Sequence, residues 1–495
     1  MEPSRNLLLV GNILNNGYLH AKFLRLHAGI HADSLNVDYS HCQGQPEWAE
    51  VEITEYVDQW QPDWGKIDLK GFKRPEWFFD VGFKDVENMN GVFEEFIQGE
   101  NKKNKLNSFI HGLLKGVKST SLFIKSGCKT SDANNLIKGI NQADKLIDEF
   151  NRYYPGFPTK LRESDILEWL PRAQGFSRLF SCYKLIHCFS LDAIYPLLAM
   201  PTRPFVAYEH GTMREFPFEN SSRGRLYALS LKKAEKVLIS NADCNLSAER
   251  LGLDNYAYIP HIIDDELFKP EESVLREKLK QETGCDFILV APARHHWKYF
   301  PDGLEHSWSK RNDIMIRGLG RVFRNYPDLK VLVIFFEWGK EVELSKQLIR
   351  ECGFQNRVKW VPLCSKPVLK KYYNAADIIL DQFNNGIGTF GAVVPEAFAC
   401  GKPVILNYKE SLHHWCFPKL PPVINAENDE EIEKIICRLL KNQQEIYNIG
   451  MIAREWFLNY HSTKIVISKL INIYKEIYFK YGWQLNMEKN LDLFN

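Results

Sequence analysis

The chain has 495 residues, 45% hydrophobic and 25% charged, with 63 basic side chains against 62 acidic ones and a formal charge of +1. That length exceeds what a single core supports and predicts two domains, and the balanced charge gives no global field for nucleic acid. No apolar stretch reaches about 18 uninterrupted residues, the start does not read as a secretory signal, and the 11 cysteines never form a Cys-x-x-Cys pair. A soluble protein of a reducing compartment is the expectation.

In chain order, Asn6 to Val10 read as a buried strand ending at Gly11, followed by an Asn15-Asn16-Gly17 turn. His20 to Ala28 then place Phe23, Leu24 and His27 on one helical face. Strand, glycine loop and helix open a doubly wound sheet. Residues from about 85 to 160 are rich in Lys, Asn, Asp and Glu, with Phe109, Leu113, Val117, Leu136, Ile140, Ala143 and Ile147 at helical spacing. They predict a largely helical insertion in the first domain. Strands follow at Leu185 to Phe189, Phe205 to Tyr208, Lys236 to Ser240 and Tyr256 to Ile259. The charged stretch Asp264 to Gly284, with Pro270 inside it, reads as a linker.

A second set of strands is predicted at Phe287 to Ala291, Val331 to Phe335, Val358 to Val361, Ile378 to Leu380 and Val404 to Leu406. Helical patterns such as Ser345 to Cys352 and Val368 to Ala376 lie between them. The fold expected is α/β, two Rossmann-like domains facing a cleft: residues 1–263 with the insertion, then 284–460, then a C-terminal helix in 461–495 packing back on the first domain.

Open parallel sheets bind ligands beyond the carboxyl ends of their strands. Three loops there carry candidate chemistry. The first runs from Gly386 through Gly388, Thr389, Phe390 and Gly391 to Pro395 and Glu396. Its glycines let backbone approach a ligand, and a carboxylate at Glu396 suits a ribose diol. The second holds Arg294 and Lys310, with Lys298 as a nearer competitor for the lysine role; Asn312, Asp313 and the apolar residues Ile314, Ile316 and Leu319 after Lys310 favour that one. The third is Glu209-His210-Gly211-Thr212-Met213-Arg214, directly after a strand.

These segments resemble the retaining GT-B glycosyltransferases of family 4. The glycine loop followed by Glu396-Ala-Phe-Ala-Cys-Gly-Lys-Pro-Val carries the resemblance, with Ile259-Pro260-His261, Trp360-Val361-Pro362 and Tyr373-Asn-Ala-Ala-Asp377 as further matches. It covers roughly residues 5–50 and 180–480. It implies GT-B architecture and a hexosyltransferase-type enzyme that transfers a sugar from a nucleoside diphosphate sugar with retention at the anomeric carbon. Arg294 and Lys310 are implied to neutralise the diphosphate, Glu396 to hold the ribose and His210 to face the donor sugar. The loop near Val361 to Leu363 is implied to meet the base, and Gly11, Asn15, Asn16 and Gly17 to line the acceptor side. One departure stands out: the family has a second glutamate eight positions before Glu396, where this chain has Gly388, so backbone amides of Thr389 to Gly391 are expected to replace it.

No cofactor and no essential metal are expected, since no Asp-x-Asp triplet lies in a suitable loop. The implied partners are a nucleotide sugar and a glycan or lipid-linked acceptor, as in polysaccharide biosynthesis at the cytoplasmic face of the membrane; a peripheral membrane contact stays open. Two other functions compete. A nucleotide-sugar epimerase of the same architecture would show paired carboxylates in the first domain, and a degenerate nucleotide- or glycan-binding module would bind donor without turning it over.

Overall fold

The computed structural model describes residues 5–84, 86, 143–300, 309–384 and 386–487. Among these, seven parallel strands form the first sheet: β1 (Arg5–Val10), β2 (Ala32–Val37), β3 (Phe78–Val81), β4 (Tyr183–Phe189), β5 (Phe205–Glu209), β6 (Lys236–Ile239) and β7 (Tyr256–Tyr258). Their order is β3-β2-β1-β4-β5-β6-β7. Six more form the second: β8 (Phe287–Ala291), β9 (Val331–Glu337), β10 (Val358–Pro362), β11 (Ile378–Leu380), β12 (Val404–Leu406) and β13 (Ile424–Asn425), ordered β10-β9-β8-β11-β12-β13. Strand order therefore reverses between β1 and β4 in one sheet and between β8 and β11 in the other. Those two switch points are where an open parallel sheet leaves a crevice.

The strands are apolar because both faces are covered. Leu7 to Val10 in β1 and Ile288 to Ala291 in β8 are all buried, with helices packed on either side. The helix Thr463–Lys480 belongs to the first sheet's packing rather than to the second. Its Val466, Ile467, Leu470, Ile471, Tyr474 and Ile477 share a cluster with Leu7, Leu9, Phe23 and Leu24. Tyr474 Oη lies 2.6 Å from His187 Nδ1, and Tyr478 Oη donates to the Asn6 carbonyl at 2.5 Å.

Three strands escape the sequence reading. In β2, Asp33, Ser34 and Asn36 are buried polar residues that break any apolar pattern. Asp33 is held by Arg5, Arg25 and the Tyr183 hydroxyl, and Asn36 donates to Asp80 at 2.9 Å, while the buried Ser34 hydroxyl has no partner among the described residues. The strands β3 and β13 are four and two residues long, too short for a period to register. The linker region contains a helix, Val274–Thr283, closed by Gly284 in the left-handed conformation. Of the expected insertion, Phe109 to Ile140 lie outside the described residues; Ala143, Leu146 and Phe150 sit on a helix in the first domain's core.

The two domains touch at defined places. Ile53 N–H donates to Ser365 Oγ and Ser365 N–H to the Ile53 carbonyl, both at 2.9 Å. Trp415 Nε1 donates to the Ala242 carbonyl at 2.9 Å. Non-glycine residues in the left-handed region gather at the cleft: Leu14 and Asn15 after β1, Asp38 after β2, Ser190 after β4 and Arg311 beside Lys310, with Lys70 the one elsewhere among the described residues. Such residues persist where the surrounding structure over-determines them, and they concentrate at functional sites.

Candidate functional site

The second sheet's switch point is lined by the loop after β8 and the loop after β11. The first is pinned from behind. The buried carboxylate of Glu341 accepts the backbone N–H groups of Trp297, Lys298 and Tyr299, the last two at 2.9 and 2.6 Å. Lys310 N–H closes the loop onto the His296 carbonyl at 2.7 Å. Those amides are thus already satisfied, and the Lys298 ammonium lies over the exposed Tyr299 ring, which leaves Arg294 and Lys310 as the loop's inward cations.

Lys310 is half-buried and donates to Gln382 Oε1. Burial, helped by the neighbouring positive charges of Arg294 and Arg214 and opposed by Asp381, brings its ammonium down to about 8. Arg294 makes no hydrogen bond or ion pair with any described residue, and its buried Nε has no partner. Burial lowers it too, with Tyr39 of the first domain the facing group. Arg214, from the loop after β5, reaches the same region while gripping Asp243 through two bonds of 2.6 and 2.7 Å. Burial works against its charge, but Asp243 outweighs it and keeps the guanidinium protonated. Asp381, at the end of β11, is pushed up to about 6 by burial, with Lys310 pulling the other way.

The glycine loop after β11 has been rebuilt around its missing glutamate. Gly388 has φ +62, and a Cβ there would stand 2.5 Å from Lys409 Cγ. Its carbonyl accepts from Lys409 N–H at 2.9 Å, and its N–H donates to the Asn384 carbonyl at 3.0 Å. A glutamate would be strained and would collide with Lys409, so the glycine is required by the path of the backbone. Thr389 is buried with Oγ1 3.3 Å from His413 Nε2, and Phe390 is a core residue stacked on His413 at 5.3 Å. Gly391 has open space around it.

Glu396 lies in the first turn of the helix Val393–Ala399 and is buried. It accepts from Lys366 Nζ on one oxygen and from Tyr373 Oη at 3.0 Å on the other. Each carboxylate oxygen can take two bonds, so one acceptor position on each is left for a vicinal diol. Val361 and Leu363, expected at the nucleotide base, have their side chains packed in apolar clusters. Val361 is in the second domain's core, and Leu363 packs on Trp48, Val51, Ile53 and Tyr56 of the first. A buried apolar contact between the domains claims that position.

At the first sheet's switch point, Gly11 has φ +96 and Gly17 sits so close that a Cβ would be 2.3 Å from the Gly11 carbonyl. The side-chain amides of Asn15 and Asn16 turn back onto neighbouring backbone. Asn15 Nδ2 donates to the Gln45 carbonyl and Asn16 Nδ2 to the Ile13 carbonyl, both at 2.9 Å. A tight turn must satisfy its own amides, and these two asparagines do so.

His210 is presented by a loop that Glu209 ties together. That buried carboxylate accepts from Gly211 N–H, Met213 N–H and Thr212 Oγ1 at 2.6, 2.6 and 2.7 Å. The His210 ring stacks on His261 at 5.3 Å, and both ring nitrogens are buried without a partner among the described residues. Burial first, then the neighbouring His261, His20 and His187, hold the ring neutral.

Sequence reasoning assigned no role to Arg214, Lys366, Tyr373, Asp381 or Gln382, although Arg214 and Tyr373 stand in segments it singled out. Arg214 and Asp381 both stand in segments next to strand ends. Lys366 and Tyr373 are seven apart, two turns along one helix face, a signal that is also read as ordinary solvated helix. Among the described residues no group of three or more His, Cys, Asp or Glu side chains is placed to hold a metal ion, and no helix is long and apolar enough to cross a membrane.

Residues 307–456 match the family of glycosyl transferases group 1. The chain is 27% identical over 150 residues to the D-inositol 3-phosphate glycosyltransferase of Thermomonospora curvata, 29% of this chain and 33% of that protein. The match thus spans about a third of that relative's length. Among solved structures, S. aureus TarM in complex with Fondaparinux, alpha-GlcNAc-glycerol and UDP aligns over 96% of this chain and 100% of its own, with TM-score 0.53 at 12% identity. A glycosyltransferase from Rickettsia africae aligns over 96% and 99%, with TM-score 0.50 at 14% identity. At such identity these likenesses concern the fold: two parallel α/β domains in the GT-B arrangement.

Proposed function

We propose that the chain is a glycosyltransferase that moves a sugar from a nucleoside diphosphate sugar to a hydroxylated acceptor, with retention of anomeric configuration. The family match in the second domain and the GT-B fold support glycosyl transfer. The observation that carries the donor assignment is the meeting of Arg214, Arg294 and Lys310 with too little negative charge to balance them. Arg214 has Asp243, Lys310 has Asp381 nearby, and Arg294 has no counter-ion among the described residues. Burial and the two neighbouring guanidinium groups depress Lys310, an anion arriving among these cations stabilises their charge, and a diphosphate leaving group supplies it.

In this reading Arg294 and Lys310 bind the diphosphate and stabilise the charge it gains as the glycosidic bond breaks. Glu396 takes the ribose diol, held in orientation by Lys366 and Tyr373. Neutral His210 offers one ring N–H and one lone pair to the sugar. With Gly388 fixed as glycine, the backbone at Thr389 to Gly391 replaces the family's other glutamate. An epimerase would need a pair of acid and base carboxylates in the first domain; there Glu209 is spent on its own loop and Asp192 stands alone among the described residues facing Gly11.

The test is thermal unfolding against UDP-, GDP-, ADP- and CMP-sugars, followed by nucleotide-release assays with Arg294→Ala and Glu396→Gln. One base class should raise the midpoint, by the equivalent of about 2.7 kcal/mol at a hundred times its Kd. Both variants should lose that shift. Stabilisation of the wild type with no nucleotide release under any acceptor would point to a binding module instead.

A further inference from the structure

Gln382, Thr389 and His413 are buried polar residues that join Lys310 to the glycine loop through one chain of hydrogen bonds. The direction of every bond in it is fixed. Lys310 Nζ can only donate, so the Gln382 atom it meets at 2.5 Å is the amide oxygen. The amide nitrogen of Gln382 is then the group that donates to the Thr389 carbonyl at 2.5 Å. At the other end the Lys409 carbonyl can only accept, so His413 Nδ1, 2.9 Å away, carries the ring proton. Burial lowers this ring to about 4, so it is neutral at pH 7 and Nε2 keeps a lone pair. The Thr389 hydroxyl, 3.3 Å from Nε2, is therefore the donor of that pair.

Thr389 is thus gripped twice, through its carbonyl and through its hydroxyl. A trans peptide holds C=O and N–H on opposite sides, so pinning the Thr389 carbonyl also aims the Phe390 N–H away from Gln382. The Phe390 ring lies flat on the His413 ring, 8° from parallel, and braces the same turn. The N–H groups of Thr389, Phe390 and Gly391 have no hydrogen-bond partner among the described residues. Gly388 cannot join them, because its N–H and carbonyl are spent on Asn384 and Lys409. The loop therefore offers a run of unspent donors whose orientation is set by two side chains from outside it. Successive free amides of this kind suit an electronegative oxygen.

We propose that Gln382 and His413 are positioning residues for the donor sugar: they hold Thr389 so that the amides of residues 389–391 meet a sugar oxygen. Through Gln382 the same chain ties that grip to Lys310 at the diphosphate. The role in sugar binding rests on the glycosyl-transfer reading; the grip on the loop is measurable without it.

The experiment compares the full-length wild type with Thr389→Val, His413→Asn, His413→Gln and Gln382→Glu, each variant's unfolding transition reporting that it folds. Asparagine at 413 places its amide near Nδ1 and keeps the Lys409 bond but loses the acceptor at Nε2. Glutamine reaches the Nε2 position with an oxygen. Glutamate at 382 still accepts from Lys310 but has no N–H for the Thr389 carbonyl. Amide hydrogen exchange of segment 386–391, without nucleotide, should be about tenfold faster or more in Thr389→Val, His413→Asn and Gln382→Glu. In His413→Gln it should stay close to wild type. Calorimetry with UDP, GDP, ADP, UDP-glucose, GDP-mannose and ADP-glucose then reads the consequence. Nucleoside diphosphate affinity should be the same in wild type, Thr389→Val and both His413 variants. The matching nucleotide sugar should bind about tenfold more weakly to Thr389→Val and His413→Asn, with His413→Gln recovering most of the loss. Wild-type exchange rates in Thr389→Val and His413→Asn overturn the proposal. So does faster exchange with unchanged affinity for every nucleotide sugar that the wild type binds. A wild type that binds no nucleotide strikes the glycosyl-transfer reading instead, and the exchange comparison still decides whether the two side chains hold the loop.

Discussion

The β8–β11 crevice and the β1–β4 crevice are built from the same strand order and carry different chemistry. The second domain's crevice concentrates charge: Lys310 lies beside Asp381 and feels Arg294 and, from the first domain, Arg214. In the first domain's crevice burial removes charge instead, leaving His210 neutral and Asp192 raised to about 8. One side carries fixed charge and the other keeps its titratable groups neutral. Topology supplies two equivalent openings, and a few side chains at the strand ends decide which ligand each one suits.

The largest expected effect breaks the charged side. Arg294→Ala or Lys310→Ala should lower donor-dependent nucleotide release about 10²–10³-fold, the loss typical of removing one fixed stabiliser of developing charge. The unfolding midpoint should barely fall, because each removes a cation that burial already disfavours. If release survives, the cations are structural and the contrast between the crevices collapses.

A second prediction sharpens it through pH. Lys310 is depressed to about 8, so it is protonated below that pH and loses its charge above it. Nucleoside diphosphate affinity measured by calorimetry should be level up to about pH 8 and then decline, by at most about tenfold per pH unit. Lys310→Arg should keep its affinity to pH 9.

Asp192→Asn tests the uncharged side by stability. The folded carboxyl holds its proton to about pH 8, whereas an unfolded one releases it near the ordinary aspartate value of about 3.9. Between those values the folded state binds more protons, so wild-type stability falls as pH rises. The asparagine variant escapes this loss. Denaturant unfolding should find it more stable than wild type by about 1–2 kcal/mol at pH 8, with the gap narrowing toward pH 5. The smallest effect is at the join between domains. Ser365→Ala removes the acceptor of Ile53 N–H and should lower stability by about 1 kcal/mol while leaving both crevices chemically intact.

Much of this was legible in the sequence. Apolar strands separated by helices and the position of Arg294, Lys310, His210 and Glu396 after strand ends all follow from patterns of a few residues. What was hidden depends on the third dimension. β2 is masked by Asp33, Ser34 and Asn36; the partners of Asp33 and Asn36 come from β1, β3, β4 and a helix. Gly388 looks like a lost glutamate until Lys409, 21 positions on, is seen to fill the space. That the amides of Asn15 and Asn16 are spent on the Gln45 and Ile13 carbonyls is likewise invisible in the sequence. Asp192 carries no sequence signal at all. Its setting comes from the strained Ser190 and the bare backbone of Gly11, which lies almost two hundred positions away but on the neighbouring strand.

The most direct test of the division between the crevices is calorimetric titration of UDP, GDP, ADP and CMP into the wild type, Arg294→Ala and Asp192→Asn. The account predicts that at least one nucleoside diphosphate binds the wild type, weakens about tenfold or more in Arg294→Ala, and binds Asp192→Asn unchanged. Binding that is lost equally in both variants, or that persists without Arg294, would contradict it.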